Sequence, residues 1–301
     1  MEKVSWRLIH LHQIHGITRQ LIWKILKADP SLTSIYQWTN DEWIKLFNIS
    51  DNQVWKIKAN LLNKELQRNI VKQAKKYNIL TIFDHQYPPQ LRNIPDPPLV
   101  LYTTGDISLL NQTPNLSVVG TRYPSENAKN LMNQLLRPIL KKRWIIVSGM
   151  ATGIDGYAHE LALAYNSPTI AVLGSGFEHI YPNQHLTLFN EIASKGLVIS
   201  EYPPYTPPQK YHFPERNRII SGLTFGTIVI EAKTKSGSLI TVDQALEQGR
   251  DVLAVPGSIL KNTSEGCNQL IQDGAKLVQT ANDIESEWED SKMKWAKITS
   301  L

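Results

Sequence analysis

Disulfides, secretion signals and long apolar runs are all missing from this chain. One cysteine, Cys267, occurs in 301 residues, so an internal disulfide is impossible and a reducing compartment is expected. No stretch approaches the roughly 18 consecutive apolar residues of a membrane helix, and the N-terminal MEKVSWRLIH lacks the uninterrupted apolar segment of a secretion signal. The sequence therefore predicts a cytoplasmic globular protein without a membrane partner, long enough for two domains.

The motifs of common nucleotide-dependent and hydrolytic enzymes are also absent. The chain has no G-x-x-x-x-G-K-[ST] phosphate loop, no G-x-G-x-x-G in its first strand–helix turn and no G-x-S-x-G. Its N-terminal histidines do not follow a zinc spacing. Asp155 and His159 lie one turn apart on a predicted helix without a third ligand nearby in the sequence, which favours a structural role. We therefore expect no catalytic residue, no metal and no cofactor.

The net charge of +5 is unevenly distributed. Residues 1–80 carry 13 Lys and Arg against 6 Asp and Glu, a net +7, whereas residues 81–284 and 285–301 each carry a net −1. A basic module is thus joined to a nearly neutral one. Polyanion binding and a merely solvated basic face are both open explanations of the first module.

Residues 1–76 have the pattern of a small all-α domain. Asn40 or Asp41 is expected to cap a helix in NDEWIKLF. Within residues 59–77, helical spacing places Leu62, Leu66 and Ile70 on one face and Lys64, Arg68 and Lys72 on another. The segment IHGIT is similar to half of a helix-hairpin-helix, in which a glycine turn presents amides to phosphate; a helix-start glycine without a ligand explains it equally well.

From residue 77 the pattern changes to alternating strands and helices. Continuous apolar runs predict strands, and stretches of helical character lie between several of them. This alternation predicts an α/β domain with a doubly wound, mostly parallel sheet, over residues 77–284. The predicted strands lie at 116–120, 144–149, 169–174, 196–200, 225–230 and 251–255, and the predicted helices at 126–141, 154–165, 184–195 and 239–248.

Several predicted strands end in glycine-bearing loops. Gly120, the pair Ser148 and Gly149, and Gly174 follow the first three of them, and KSGS (235–238) precedes a helix. In a doubly wound sheet such loops meet at the carboxyl edge, where ligands bind. Glycine permits close backbone approach and helix N-termini offer amides to anions. An anion-binding edge is therefore expected, although a strand–helix turn can also need glycine for packing alone.

Cationic and aromatic residues are available to this edge. Arginine matches phosphate oxygens and aromatic rings stack on bases, which together indicate a track for single-stranded nucleic acid. The alternative is that Phe213 is core and that Arg216 pairs with Glu201 or Glu231. The candidate residues are Arg122, Lys210, Tyr211, Phe213, Arg216, Asn217 and Arg218.

Several of these stretches resemble one family. GTRYPS, SGMATGIDGYAHELAL, AVLGSGFEHIYPNQH, FPERNRIISGL and SEGCNQLIQDGA are similar, in order, to the DNA-processing protein A family, also called Smf. The resemblance implies an extended Rossmann fold after a sterile-alpha-motif-like helical domain. It also implies a non-catalytic mediator of recombination that binds and protects single-stranded DNA, forms a homodimer and loads the RecA recombinase during natural transformation. Single-strand-binding protein is a further candidate partner.

The resemblance also assigns roles to positions. It implies that Arg122, Lys210, Phe213, Arg216, Asn217 and Arg218 contact DNA beside the backbone of Gly120, Ser148, Gly149 and Gly174. It implies a dimer or RecA interface at Asn268, Leu270, Ile271 and Leu277. Thr152 stands where many members have a basic residue, and residues 285–301 are expected to be a tail in place of a winged-helix module.

Two other function classes remain open. A nucleotide phosphoribohydrolase of the lysine-decarboxylase-like family would share a related architecture. However, EAKTKSGSLITVDQ lacks the P-G-G-x-G-T-x-x-E signature and has Val242 and Asp243 where the glutamate is expected. A scaffold that binds only proteins would leave the arginine cluster unexplained.

Overall fold

The protein is described by a computed structural model that covers residues 2–300. The chain divides into two compact units. The first contains residues up to Tyr87 together with Leu99–Tyr102, and the second contains Pro88–Pro98 and the residues from Thr103 onwards.

The first unit is mainly helical. Its elements are α1 (Lys3–His12), α2 (Arg19–Ala28), a 3-10 turn (Ser34–Tyr36), α3 (Asn40–Phe47), α4 (Asp51–Leu61), α5 (Lys64–Lys76) and strand β1 (Asn78–Thr81), and strand β2 (Val100–Gly105) begins in it. Because β1 packs against α1 and α5, this unit extends beyond the boundary predicted at residue 77.

Two local predictions in this unit are wrong. The cap of α3 is Thr39, not Asn40 or Asp41: its hydroxyl accepts from the Glu42 amide while the Glu42 carboxylate accepts from the Thr39 amide. Leu62 does not share a helix face with Leu66 and Ile70, because Asn63 caps a new helix, α5, through the amides of Glu65 and Leu66; Lys64, Arg68 and Lys72 do share a face of α5. Leu62 consequently lies between two helices and is exposed.

The second unit alternates strands and helices as predicted. In chain order it contains α6 (Pro89–Arg92), a 3-10 turn (Ile107–Asn111), β3 (Asn115–Val119), α7 (Ala128–Lys141), β4 (Ile145–Ser148), α8 (Ile154–Ala164), β5 (Thr169–Leu173), a 3-10 turn (Asn183–His185), α9 (Leu186–Lys195), β6 (Leu197–Ser200), α10 (His212–Gly222), β7 (Gly226–Val229), α11 (Gly237–Glu247), β8 (Asp251–Ala254), α12 (Glu265–Gln272), β9 (Lys276–Leu277) and α13 (Ala281–Thr299).

The strands of this unit form a parallel sheet in the order β6-β5-β4-β3-β7-β8-β9. Each of the six predicted apolar runs contains a strand, and the predicted α/β fold class is confirmed. Successive strands are added on one side of β3 as far as β6 and on the other side from β7, so β3 is the point where the winding direction reverses. Ligands of doubly wound sheets bind at such a point.

The C-terminal helix α13 belongs to the core of the second unit, which differs from the tail predicted at 285–301. Ile284 and Trp295 are buried, and Trp288 packs edge-on against Trp144 and Phe225. Their spacing places them on one face of the helix, where burial of large apolar side chains holds α13 against α7. None of the helices within residues 2–300 is both long and apolar enough to span a membrane.

Candidate functional site

An open pocket of about 540 Å³ lies at the carboxyl edge of the sheet, where the winding reverses. The loop after β3 (residues 120–123) forms one wall, and the loop after β7 with the first turns of α11 (residues 233–241) forms another. Part of α10 contributes a further wall. Strands β3 and β7 are hydrogen-bonded neighbours although their paired residues Val119 and Val229 are 110 positions apart in the sequence, so the sheet topology brings these walls together.

Three exposed cations, Arg122, Lys233 and Lys235, line this pocket and will be called the pocket cations. Within residues 2–300 none of them forms an ion pair. The acidic residues on the pocket wall are the buried Asp155 and the exposed Glu265. Sequence reasoning identified Arg122 but missed the two lysines, although both lie in the KTKSGS segment directly after β7. Unpaired cations around a concave surface favour an anionic ligand.

The N-terminus of α11 adds backbone donors to the same wall. Ser236 caps the helix by accepting from the Ser238 amide, and Gly237 has no heavy atom within 4 Å of the position that a Cβ would occupy. Both Gly237 and Ser238 line the pocket. The positive end of the helix dipole therefore supports the pocket cations.

An aromatic ring stands beside Arg122. The Arg122 guanidinium carbon lies 6.0 Å from the centroid of the half-exposed Phe213 ring. The centroids of the Tyr181 and Phe213 rings are 5.4 Å apart. Gly174 allows this placement, because a Cβ there would come within 3.0 Å of a ring carbon. The role of Gly174 in the structure is thus to make room for Phe213, and Gly120 similarly makes room for Ile154.

Arg216, in contrast, is buried beneath the pocket. Its guanidinium donates to the carbonyl of Gly149 at 2.6 Å and to the carbonyl of Val172. The Gly149 amide donates to Asp155 Oδ2 at 3.2 Å, and the Ser148 hydroxyl donates to the Val118 carbonyl. The polar groups at these positions are therefore engaged with the protein, and the expected amide contacts of Gly149 with phosphate receive no support from the geometry.

Burial sets the ionisation of this region. It lowers the pKa of Arg216 to about 10, which still leaves the guanidinium charged at neutral pH. Burial also raises the pKa of Asp155, and the nearby Arg216 opposes that rise. Arg216 thus supplies a fixed positive charge at the base of the pocket while joining the loop after β4 to strand β5.

Arg218, which was predicted to contact DNA, is not part of the pocket wall. It is buried, donates to Glu201 Oε1 at 2.7 Å and donates to the carbonyls of Asp96 and Glu215 at 2.8 and 2.9 Å. The internal pairing considered for Arg216 is therefore made by Arg218. Of the remaining candidates, Asn217 lines the pocket and accepts from Arg216, whereas Lys210 is exposed just ahead of α10.

The Asp155 and His159 pair has internal partners, as the structural interpretation expected. His159 is fully buried, with Nδ1 2.7 Å from the Thr169 hydroxyl. No group of three or more metal-ligating side chains is found within the described part of the chain, residues 2–300.

His159 should make stability depend on pH. Burial lowers its pKa to about 3, whereas its ordinary value is 6.5. Below pH 6.5 the unfolded chain therefore binds a proton at His159 that the folded chain does not. The contribution of His159 to the free energy of unfolding is fully present above pH 6.5 and is lost as the pH falls towards 3. At pH 5 the expected loss in the free energy of unfolding is about 2 kcal/mol. Urea unfolding at pH 7 and pH 5 measures it; if His159→Gln shows the same loss, another group is responsible.

The four residues of the predicted interface lie on or next to α12. Asn268 exchanges hydrogen bonds with the backbone of Gly257, at 3.1 and 3.0 Å. Leu270 and Ile271 are half-buried, and Leu277 is 40% exposed. Apolar surface is thus available at this end of the sheet, and the interface remains a prediction.

Comparison with known proteins identifies the family. A family model described as DNA recombination-mediator protein A matches residues 78–289. The chain is 41% identical over 289 residues to the DNA processing protein DprA of Bacillus subtilis. The aligned region covers 93% of this chain and 94% of that protein. The chain belongs to the DNA recombination-mediator protein A family.

Further relatives of this family include the DNA processing protein DprA of Streptococcus pneumoniae, 40% identical over 277 residues that cover 91% of this chain and 95% of the relative. The X-ray structure of the pneumococcal protein superposes with a TM-score of 0.84 at 37% identity, covering 95% of this chain and 99% of that one. DNA processing protein A of Helicobacter pylori, whose structure was studied for its single-stranded DNA binding mode, has a TM-score of 0.64 at 31% identity, covering 71% and 97%.

Proposed function

We propose that this protein binds single-stranded DNA at the pocket and acts as a non-catalytic recombination mediator. The carrying observation is that Arg122, Lys233 and Lys235 are exposed around a pocket beside Phe213 and form no ion pair within the part of the chain that the structure describes. Cations bind phosphates, and an aromatic ring that is half-exposed can stack on a base only when that base is not already stacked in a duplex. The Helicobacter pylori relative, whose study concerns single-stranded DNA binding, supports the same ligand.

The finer parts of the proposal concern what happens to the bound strand. We infer that the bound strand is protected from nucleases and passed to RecA during natural transformation. We also infer that the protein forms dimers through the α12 region and that single-strand-binding protein is a further partner. Family membership and the apolar side chains of Ile271 and Leu277 support this. The test is RecA filament formation on coated single strands: stimulation by this protein is expected, and no stimulation contradicts the proposal.

The alternative enzyme, a nucleotide phosphoribohydrolase, has a weaker basis in the pocket. Val242 is buried, and Asp243 is exposed on α11 without being part of the pocket wall. A carboxylate that activates water must lie within hydrogen-bond reach of the reacting atom. Release of free base from nucleoside monophosphates, followed chromatographically, would nevertheless favour the enzyme.

Single-stranded DNA binding is tested by the fluorescence anisotropy of labelled oligo-dT and of its duplex counterpart across a salt series. We expect tighter binding to the single strand, with an affinity that falls by about 0.7 log units per log unit of salt for each phosphate contact. A flat salt dependence would show that phosphate contacts do not account for the binding, and no binding by the folded protein would contradict the proposal.

Phe213 should contribute by stacking. Phe213→Leu is expected to weaken single-strand binding by roughly 1–3 kcal/mol, because leucine keeps apolar volume but has no π-face. Phe213→Trp, which keeps a π-face, is the matched control and should bind nearly as well as the wild type. The fluorescence of 2-aminopurine placed along the oligonucleotide should report the stack. Equal binding by Phe213→Leu and the wild type would place Phe213 in a packing role only.

A further inference from the structure

We propose that helix α5 in the first unit carries a second contact for single-stranded DNA. The contact is a row of four cations, Lys64, Arg68, Lys72 and Lys75, which will be called the α5 row. This inference rests on the proposed function for the identity of the ligand, but it uses residues of a different unit from the pocket.

The α5 row is the exposed face of a helix whose opposite face is fixed. Ile70 is fully buried, and the buried Gln73 accepts from the Gln13 amide at 2.7 Å. Because those positions face the unit's interior, the four cations point to solvent, and all four are exposed. Residues four apart rise by about 6 Å along a helix, so the cations form a regular line.

The α5 row has no internal charge compensation. Within residues 2–300 none of its four members forms an ion pair or a side-chain hydrogen bond. Glu65 in the first turn is the sole acid of α5. Asp29 and Glu42, elsewhere in the unit, already accept from the backbone amides of Ser34 and Thr39. The four cations of the row therefore outnumber the single acid of the helix.

This arrangement costs helix stability. Lys64 and Arg68, and Arg68 and Lys72, are like charges at i and i+4, and Lys72 and Lys75 are like charges at i and i+3. Such pairs destabilise a helix, whereas alternating Glu and Lys at the same spacing would stabilise it. Solvent exposure alone does not explain why like charges occupy these repulsive spacings. A ligand that places negative charges along the row relieves it, which explains the pattern.

A single strand of DNA fits this requirement better than a membrane or a small anion. Its backbone presents a line of phosphates, and cations bind it without reading the bases. The apolar side chains exposed on α5 beside the row are Val71 and Ala74, which offer too little surface to insert into lipid. A strand long enough to reach both the pocket and the row would gain affinity from binding them together.

The test compares two full-length variants with equal charge loss in the same unit. One replaces the α5 row (Lys64, Arg68, Lys72 and Lys75→Gln), and the matched control replaces four other exposed lysines (Lys24, Lys27, Lys45 and Lys56→Gln). Anisotropy is measured with the shortest dT oligonucleotide that the wild type binds and with one several times longer.

The α5 variant should lose about tenfold in affinity on the long oligonucleotide alone, and its salt slope should fall by up to about 3. Its thermal midpoint should not fall, because repulsion is removed.

The outcomes separate this inference from the proposed function. Equal losses in the two variants would show that net charge matters and not the row, which overturns the inference. Unchanged binding of the long oligonucleotide by the α5 variant also overturns it, and favours an acidic protein as the ligand of α5. Binding of the wild type to neither oligonucleotide overturns the proposed function, and the inference with it.

Discussion

Replacing the three pocket cations together (Arg122, Lys233 and Lys235→Gln) is expected to weaken single-strand binding by about 100-fold, on the basis of about 1 kcal/mol or more for each charge-assisted contact. The salt slope should fall by about 2, since each phosphate contact contributes about 0.7. The fold should be unaffected, because all three side chains are exposed and unpaired within residues 2–300. Anisotropy across a salt series measures both quantities.

A matched control distinguishes contact from general attraction. Arg137, Lys141 and Lys297→Gln removes the same charge, again one arginine and two lysines, from exposed positions on α7 and α13. Arg137 and Lys141 lie in the last turns of α7, and a helix that follows a parallel strand ends at the opposite edge of the sheet. This control should bind within about threefold of the wild type, since exposed charges more than a Debye length away are screened. If both triple variants lose affinity equally, the pocket is not the DNA site.

The strands and their glycine loops could be predicted because their signals are local. A short, mainly apolar run followed by glycine is sufficient to indicate a buried parallel strand and its turn, as for β3, in which Leu116, Val118 and Val119 precede Gly120. Lys233 and Lys235 could not be assigned in this way. Their position opposite Arg122 depends on β7 pairing with β3, a non-local contact that nothing in the KTKSGS segment specifies.

The sequence did not show that the residues of the R-N-R run point in different directions, because the run lies on a helix. Successive residues of an α-helix point about 100° apart, so three neighbours face different surroundings. In α10, Arg216 points towards the carbonyls of Gly149 and Val172, Asn217 faces the pocket, and Arg218 points to Glu201. The adjacent apolar residues that follow, Ile219 and Ile220, do not show helical spacing, so the pattern did not predict α10.

This placement reverses the expected effect of removing Arg218. Arg218→Met should lower the free energy of unfolding by about 3–5 kcal/mol, because Glu201, itself buried, loses the guanidinium that faces it at 2.7 Å. A reduced DNA affinity, if seen, should then follow the fraction of unfolded protein. Urea unfolding followed by circular dichroism measures the loss directly.

The double variant Arg218→Met with Glu201→Leu provides the decisive comparison. Removing both charges leaves no uncompensated carboxylate in the interior, and replacing a buried ion pair by apolar side chains is often nearly neutral. The double variant should therefore recover most of the stability and retain DNA binding, because the pocket cations are intact. An Arg218→Met protein that is as stable as the wild type yet fails to bind DNA would show instead that this arginine reaches phosphate after a rearrangement of α10. In that case the ion pair with Glu201 would be a resting arrangement that DNA displaces, and Glu201→Gln alone should then tighten binding.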